Sequence, residues 1–186
     1  MNEKTPNRRT LKTRKALCEA LAELLAEKEL HKVTVQEIAD KADVNRVTFY
    51  KHYLDVYDLY EKIEKRTLAE LGLLALKLEE LPEEEFASCL VEYVSENRAV
   101  FKMVFSPNST GLLRSKLSRL IEGIFLQIAS EQNGTNLRDK DLIYRSCYRT
   151  QGCLAILSKW VQGNFQESPD FVIQMISDLD SAVQDA

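Results

Sequence analysis

The chain is 186 residues long, 45% hydrophobic and 29% charged, with a formal net charge of −4, which is room for one large or two small domains with a buried core. No apolar run reaches the ~18 residues of a membrane span, and the polar, basic start MNEKTPNRRT lacks the apolar segment of a secretory leader, so a cytoplasmic protein is expected. The charge is uneven: residues 1–66 hold 14 Lys and Arg against 12 Asp and Glu, a net of +2, and residues 67–186 hold 11 against 17, a net of −6.

Cys18, Cys89, Cys147 and Cys153 show no CxxC spacing and fall in helical patterns, which points to buried free thiols, with His31 and His52 the only histidines open to a metal. The sequence has no Gly-rich phosphate loop, no clustered carboxylate and histidine set and no nucleophile motif, so neither an enzyme nor a cofactor is expected.

At the start, Lys4, Arg8, Arg9, Lys12, Arg14 and Lys15 face only Glu3. A basic arm running into a helix can track phosphates, or it can be a solvated tail. The first helix is predicted over Thr10 to Lys28, burying Leu11, Ala16, Leu17, Ala20, Leu21, Leu24 and Leu25. A short link, KELHK, comes next, in which His31 reads as a surface turn residue.

Thr34 opens a second helix. Glu37 stands three residues later, where a reciprocal capping box places it, and Val35, Ile38, Ala39 and Ala42 recur at helical spacing. Asp43 tolerates a left-handed turn, Val44 anchors the angle and Asn45 is a good N-cap, so Arg46 to Tyr53 reads as a third helix and the pair as a helix-turn-helix. Phe49 and Tyr53, four apart, face inward. That leaves Arg46, Val47, Thr48, Tyr50, Lys51 and His52 at the tip or on the outer surface. Arg46 and Lys51 suit guanine edges or phosphates; Thr48, Tyr50 and His52 suit phosphate oxygens; Val47 suits a thymine methyl. Gln36 is a weaker base-edge candidate, and Thr34 and Asn45 complete the DNA-binding set.

The run IADKADVNRVTFYKHY resembles the signature of the TetR family of bacterial transcriptional regulators, Ile-Ala, Ala, a turn, then Thr-Phe-Tyr-x-His-Phe, and the likeness covers Leu11 to about Leu59. Asp43 stands where that family usually has Gly, Tyr53 where it has Phe, and Val56 where a phosphate-contacting Lys often begins the next helix.

Asp55 caps a fourth, linking helix predicted to run to Leu81, ahead of Pro82, with Gly72 as a candidate bend. EEEFASCLVEYVSEN places Phe86, Leu90 and Val94 on one helical face, and RAVFKMVFS is a short helix stopped by SPNSTG. Further helices are expected over Leu112 to Ala129, broken by EQNGTN, over Asp139 to Gln162, and from Ser168-Pro169, an N-cap with proline at the first helical position. The expected fold is therefore all-α, about nine helices, with a DNA-binding domain over 1–54 and a regulatory and dimerisation domain over 55–186.

EYVSENRAVFKMVF and GCLAILSKWVQGNFQESP also resemble a TetR subgroup, which implies that the last two helices pair with those of a second subunit. Trp160, Val161, Val172, Met175, Ile176 and Leu179 are the candidate seam, although the same stripes suit an internal core. The family resemblance further implies a homodimeric repressor on a near-palindromic double-stranded operator, released by a small-molecule effector. Tyr93, Phe101, Phe105, Tyr144, Arg145, Tyr148 and Gln151 are candidates to line its pocket. The alternative is the same fold acting through a protein partner, as co-activator or assembly inhibitor, without an effector.

Overall fold

The computed structural model describes residues 8–78, 85–134 and 136–184. Among these are nine α-helices and no strand: α1 (Arg8–Glu27), α2 (Val35–Lys41), α3 (Arg46–Tyr50), α4 (Val56–Leu78), α5 (Glu85–Glu96), α6 (Arg98–Val104), α7 (Leu112–Asn133), α8 (Lys140–Gln162) and α9 (Pro169–Gln184), with a 3₁₀ turn at Leu30–Lys32. No described helix is long and apolar enough to cross a membrane. Lys4 of the basic arm, Leu81 and the expected stop at Pro82 lie outside the described residues.

The chain separates into two compact units, one of Met1–Thr67 with Ala99–Thr110, the other of Leu68–Arg98 with Gly111–Ala186. The division falls inside α4, and the first unit takes in most of α6.

In the first unit, α1 packs on α2 and buries Leu17, Leu21 and Leu25 completely, and Ile38, Ala39, Phe49 and Leu59 are equally enclosed; Leu11, expected in the stripe, is 51% exposed one turn from the helix start. The loop SPNSTG ties down the end of α1, whose last carbonyls lack intrahelical partners. Ser106 Oγ donates to the Leu25 carbonyl at 2.6 Å and Asn108 Nδ2 to the same oxygen at 3.0 Å, while the Leu30 N–H donates to the Asn108 carbonyl at 3.3 Å.

In the second unit, α8 packs between α7 and α9, and α5 also meets α9. Arg149, 6% exposed, holds the Asp180 carboxylate in a two-toothed grip at 2.5 and 2.7 Å, and its guanidinium stacks 4.2 Å from the centre of the Phe125 ring. One side chain thus pins α8 to α9 and α7. At the α8–α9 turn, Asn164 and Phe165 are both left-handed (φ 54° and 59°), and the strain is offset by burying Phe165 against Trp160 at 5.0 Å. Trp160 Nε1 donates to the Glu167 carbonyl.

Two boundaries differ from expectation. Helix α7 continues through EQN to Asn133, because polar residues do not stop a helix, and ends at Gly134, whose φ of 60° does. Helix α3 ends at Tyr50 rather than Tyr53, the chain turning at Lys51 and His52. Of the four cysteines, Cys18 and Cys153 are buried and Cys89 and Cys147 only half-buried. Burial pushes the Cys18 thiol up to about 11 and that of Cys153 to about 12, so both stay protonated.

Candidate nucleic-acid interface

The helix-turn-helix is built from the local signals in its sequence. Thr34 caps α2 through the reciprocal box: its Oγ1 accepts the Glu37 N–H at 3.3 Å and its own N–H donates to Glu37 Oε2 at 3.0 Å. Lys28 reaches over from beyond α1 to bond Glu37 Oε1, and this contact, ahead of those from Thr34, pulls the carboxyl down to about 2. Asp43 makes the turn at φ 51°, and Asn45 Oδ1 accepts the Val47 N–H at 2.8 Å to start α3. Both Thr34 and Asn45 are exposed, yet their side chains are already engaged as caps.

A five-residue helix has no stability of its own. Phe49, fully buried, and Tyr53, 7% exposed, anchor α3 with ring centres 5.6 Å apart. This leaves Arg46, Val47, Tyr50 and Lys51 exposed, with Val47 at 63% and Tyr50 at 49%. The Arg46 guanidinium bonds the Tyr50 hydroxyl at 3.3 Å and lies 5.8 Å from its ring centre, so the two form one pre-ordered surface. Thr48 and His52 are half-buried at its margin, and Gln36, exposed on α2, donates to Asp40 Oδ1 at 2.6 Å.

His52 lies in a positive neighbourhood. Burial first, then Arg14, Lys51 and Lys62, hold its imidazole below the usual histidine range. Arg14 and Lys62 come from α1 and α4, and with Lys51 they gather cations from three elements around the end of α3. Lys62 was not in the expected set; it is ten residues from His52, and only folding brings it there.

The other expected sites are redistributed. Phe101 and Phe105 lie buried in the core of the first unit. In the second, Tyr93 bonds Glu70 at 2.8 Å, Gln151 bonds Ser118 at 3.0 Å, and Arg145 bonds Asp141 and the Val183 carbonyl. Tyr144 and Tyr148 are 75% and 67% exposed, because their side of α8 faces away from the core. Phe101 and Phe105 thus belong to one compact unit, and Tyr93, Tyr144, Arg145, Tyr148 and Gln151 to the other. Of the expected seam, Trp160, Val161, Val172 and Ile176 are 2–3% exposed, their apolar surface already spent inside the unit, whereas Met175 and Leu179 are 36% and 52% exposed. Beside Leu179, an open cavity of about 250 Å³ lies between α8 and α9, lined by Tyr148, Gly152, Cys153, Ile156 and Ala182 among others.

Residues 17–63 match the family described as bacterial regulatory proteins, tetR family, and residues 83–180 match its transcriptional regulator C-terminal region. A curated relative, the uncharacterized HTH-type transcriptional regulator YxbF of Bacillus subtilis (strain 168), is 37% identical over 70 residues, 37% of this chain and 18% of the relative, so the match spans about a fifth of that protein. Among solved structures, the fatty acid degradation regulator FadR from Bacillus halodurans superposes with a TM-score of 0.66 at 13% identity, over 95% of this chain and 96% of that one. A transcriptional regulator from Aquifex aeolicus VF5 gives 0.65 at 17% identity, over 92% and 99%. At these identities the structures attest the fold.

Proposed function

Because this chain belongs to the TetR family of bacterial regulatory proteins, whose members bind DNA and act as dimers, we propose that it is a homodimeric cytoplasmic repressor of a near-palindromic operator. The observation that carries the reading is the exposed Arg46, Val47, Tyr50 and Lys51 surface on a helix fixed from behind by Phe49 and Tyr53. A short, rigid helix bearing a fork of donors, an apolar tip and a lysine is what a major groove accepts. The first compact unit reads the DNA, and the second regulates and dimerises. A two-fold protein requires a two-fold site.

Release by a small-molecule effector is supported by two hydroxyls on one face of α8. Ser146 and Thr150, four residues apart and at most 1% exposed, have no hydrogen-bond partner among the described residues. Leaving such groups unmet costs ~1–3 kcal/mol each, a cost that a polar ligand reaching them would remove.

The test is selection of a duplex from a randomised pool. The reading expects an enriched inverted repeat that the protein binds more tightly than a scrambled duplex of equal length. Enrichment of no sequence would leave the alternative, action through a protein partner.

A further inference from the structure

The joint between α3 and α4 carries a clasp beyond what the turn needs. Lys62, in the second turn of α4, donates from Nζ to the His52 carbonyl at 3.2 Å and to Asp58 Oδ2 at 2.9 Å, and its ammonium stands 5.4 Å from the centre of the Tyr53 ring. The same Asp58 oxygen accepts the Leu54 N–H at 2.9 Å, and the Asp58 N–H donates to Asp55 Oδ1 at 2.8 Å. The segment just past α3 is thereby tied to α4 at His52, Tyr53 and Leu54.

Phe49 and Tyr53, their rings tilted at 51° to each other, fix the depth of α3, but the packing of two side chains leaves it some freedom to rotate. The Lys62 bond to the His52 carbonyl and the Asp58 bond to the Leu54 N–H act on the backbone itself and remove that freedom. With Lys62 and Asp58 side chains 53% and 18% exposed, the ion pair adds little stability; its effect is on geometry. The Lys62 ammonium is also turned toward protein groups, unlike that of an outward phosphate contact.

We propose that Asp58 and Lys62 are positioning residues, clamping the His52–Leu54 segment to α4 and so setting the angle at which α3 meets DNA, without reading a base or holding a phosphate. This rests on the DNA-binding reading above.

The test uses a duplex selected from a randomised pool by the unmodified full chain, with a scrambled duplex of equal length, in titrations across a salt series. Lys62→Met lowers affinity for the selected duplex about five- to tenfold, changes the scrambled duplex much less and leaves the salt slope unchanged; Lys62→Arg, which can still reach the carbonyl, restores most of the loss. Asp58→Ala is the opposing arm. It removes a negative charge, so electrostatics alone would tighten binding to both duplexes, whereas loss of the clasp lowers the ratio between them. Circular dichroism melts that match the unmodified protein separate the effect from unfolding. A Lys62→Met variant whose salt slope drops by about one with the ratio intact is a lost phosphate contact, and it overturns the proposal. So do variants indistinguishable from the unmodified protein. If the unmodified protein selects no duplex, the DNA-binding reading itself fails.

Discussion

Arg46 and Lys51 differ in what they can do, although both are exposed cations on one short helix. Arg46 is pre-ordered on Tyr50, so its planar fork loses little freedom on meeting a base edge; Lys51 is a point charge at the C-cap of α3. Arg46→Ala should therefore cost ~1–3 kcal/mol of binding to a selected duplex and relax preference at one base, while Lys51→Ala should lower the salt slope by about one across all sequences. Anisotropy titrations at several salt concentrations check both; a slope lowered in Arg46→Ala and unchanged in Lys51→Ala would reverse the roles, and equal slopes would contradict the distinction. Glu37 makes a prediction in pH. Its carboxyl lies at about 2 in the folded chain against an ordinary 4.5, chiefly through Lys28. Its contribution is thus complete above 4.5 and lost as pH falls toward 2. Glu37→Gln should melt lower than the unmodified protein at about pH 6, with the gap closing as pH falls toward 2. A gap independent of pH would show that the charge is immaterial.

At the scale of elements, the strongest signals are those that neighbouring residues settle between themselves. Thr34 with Glu37, Asn45 with Val47, and Ser168, whose Oγ accepts the Phe171 N–H, announce helix starts because cap and capped group lie within three residues. The same locality explains Asp43, which takes the left-handed conformation that the family usually gives to glycine. Asp43→Val should destabilise the protein by ~1–2 kcal/mol, since a β-branched residue resists positive φ; thermal denaturation checks this, and an unchanged midpoint would mean that the turn relaxes. The tie between the SPNSTG loop and Leu25 was hidden, because its partners are 81 residues apart. So was the Lys62 clasp, although its partners are only ten residues apart, because a lysine on a charged helix carries no local mark of the carbonyl that it will meet.

For the whole molecule, sequence periodicity located the apolar stripes of α8 and α9 but not their direction. Both helices are apolar on more than one side, so only packing decides that Trp160, Val161, Val172 and Ile176 turn inward while Tyr148, Met175 and Leu179 stay out. The outward residues are where a second copy should seat. Leu179→Glu should give a folded monomer by sedimentation with weak, salt-sensitive DNA binding, whereas Ile176→Asp should unfold the subunit by burying an unpaired charge. A Leu179→Glu protein that remains a dimer would move the seam elsewhere. Whether two copies present two α3 helices to one site is decided by the stoichiometry and spacing of the complex with a selected duplex. Two chains per duplex are expected, with half-sites ~34–36 Å apart and loss of tight binding when a half-turn of DNA is inserted between them. One chain bound to a single half-site with undiminished affinity would refute the two-copy arrangement.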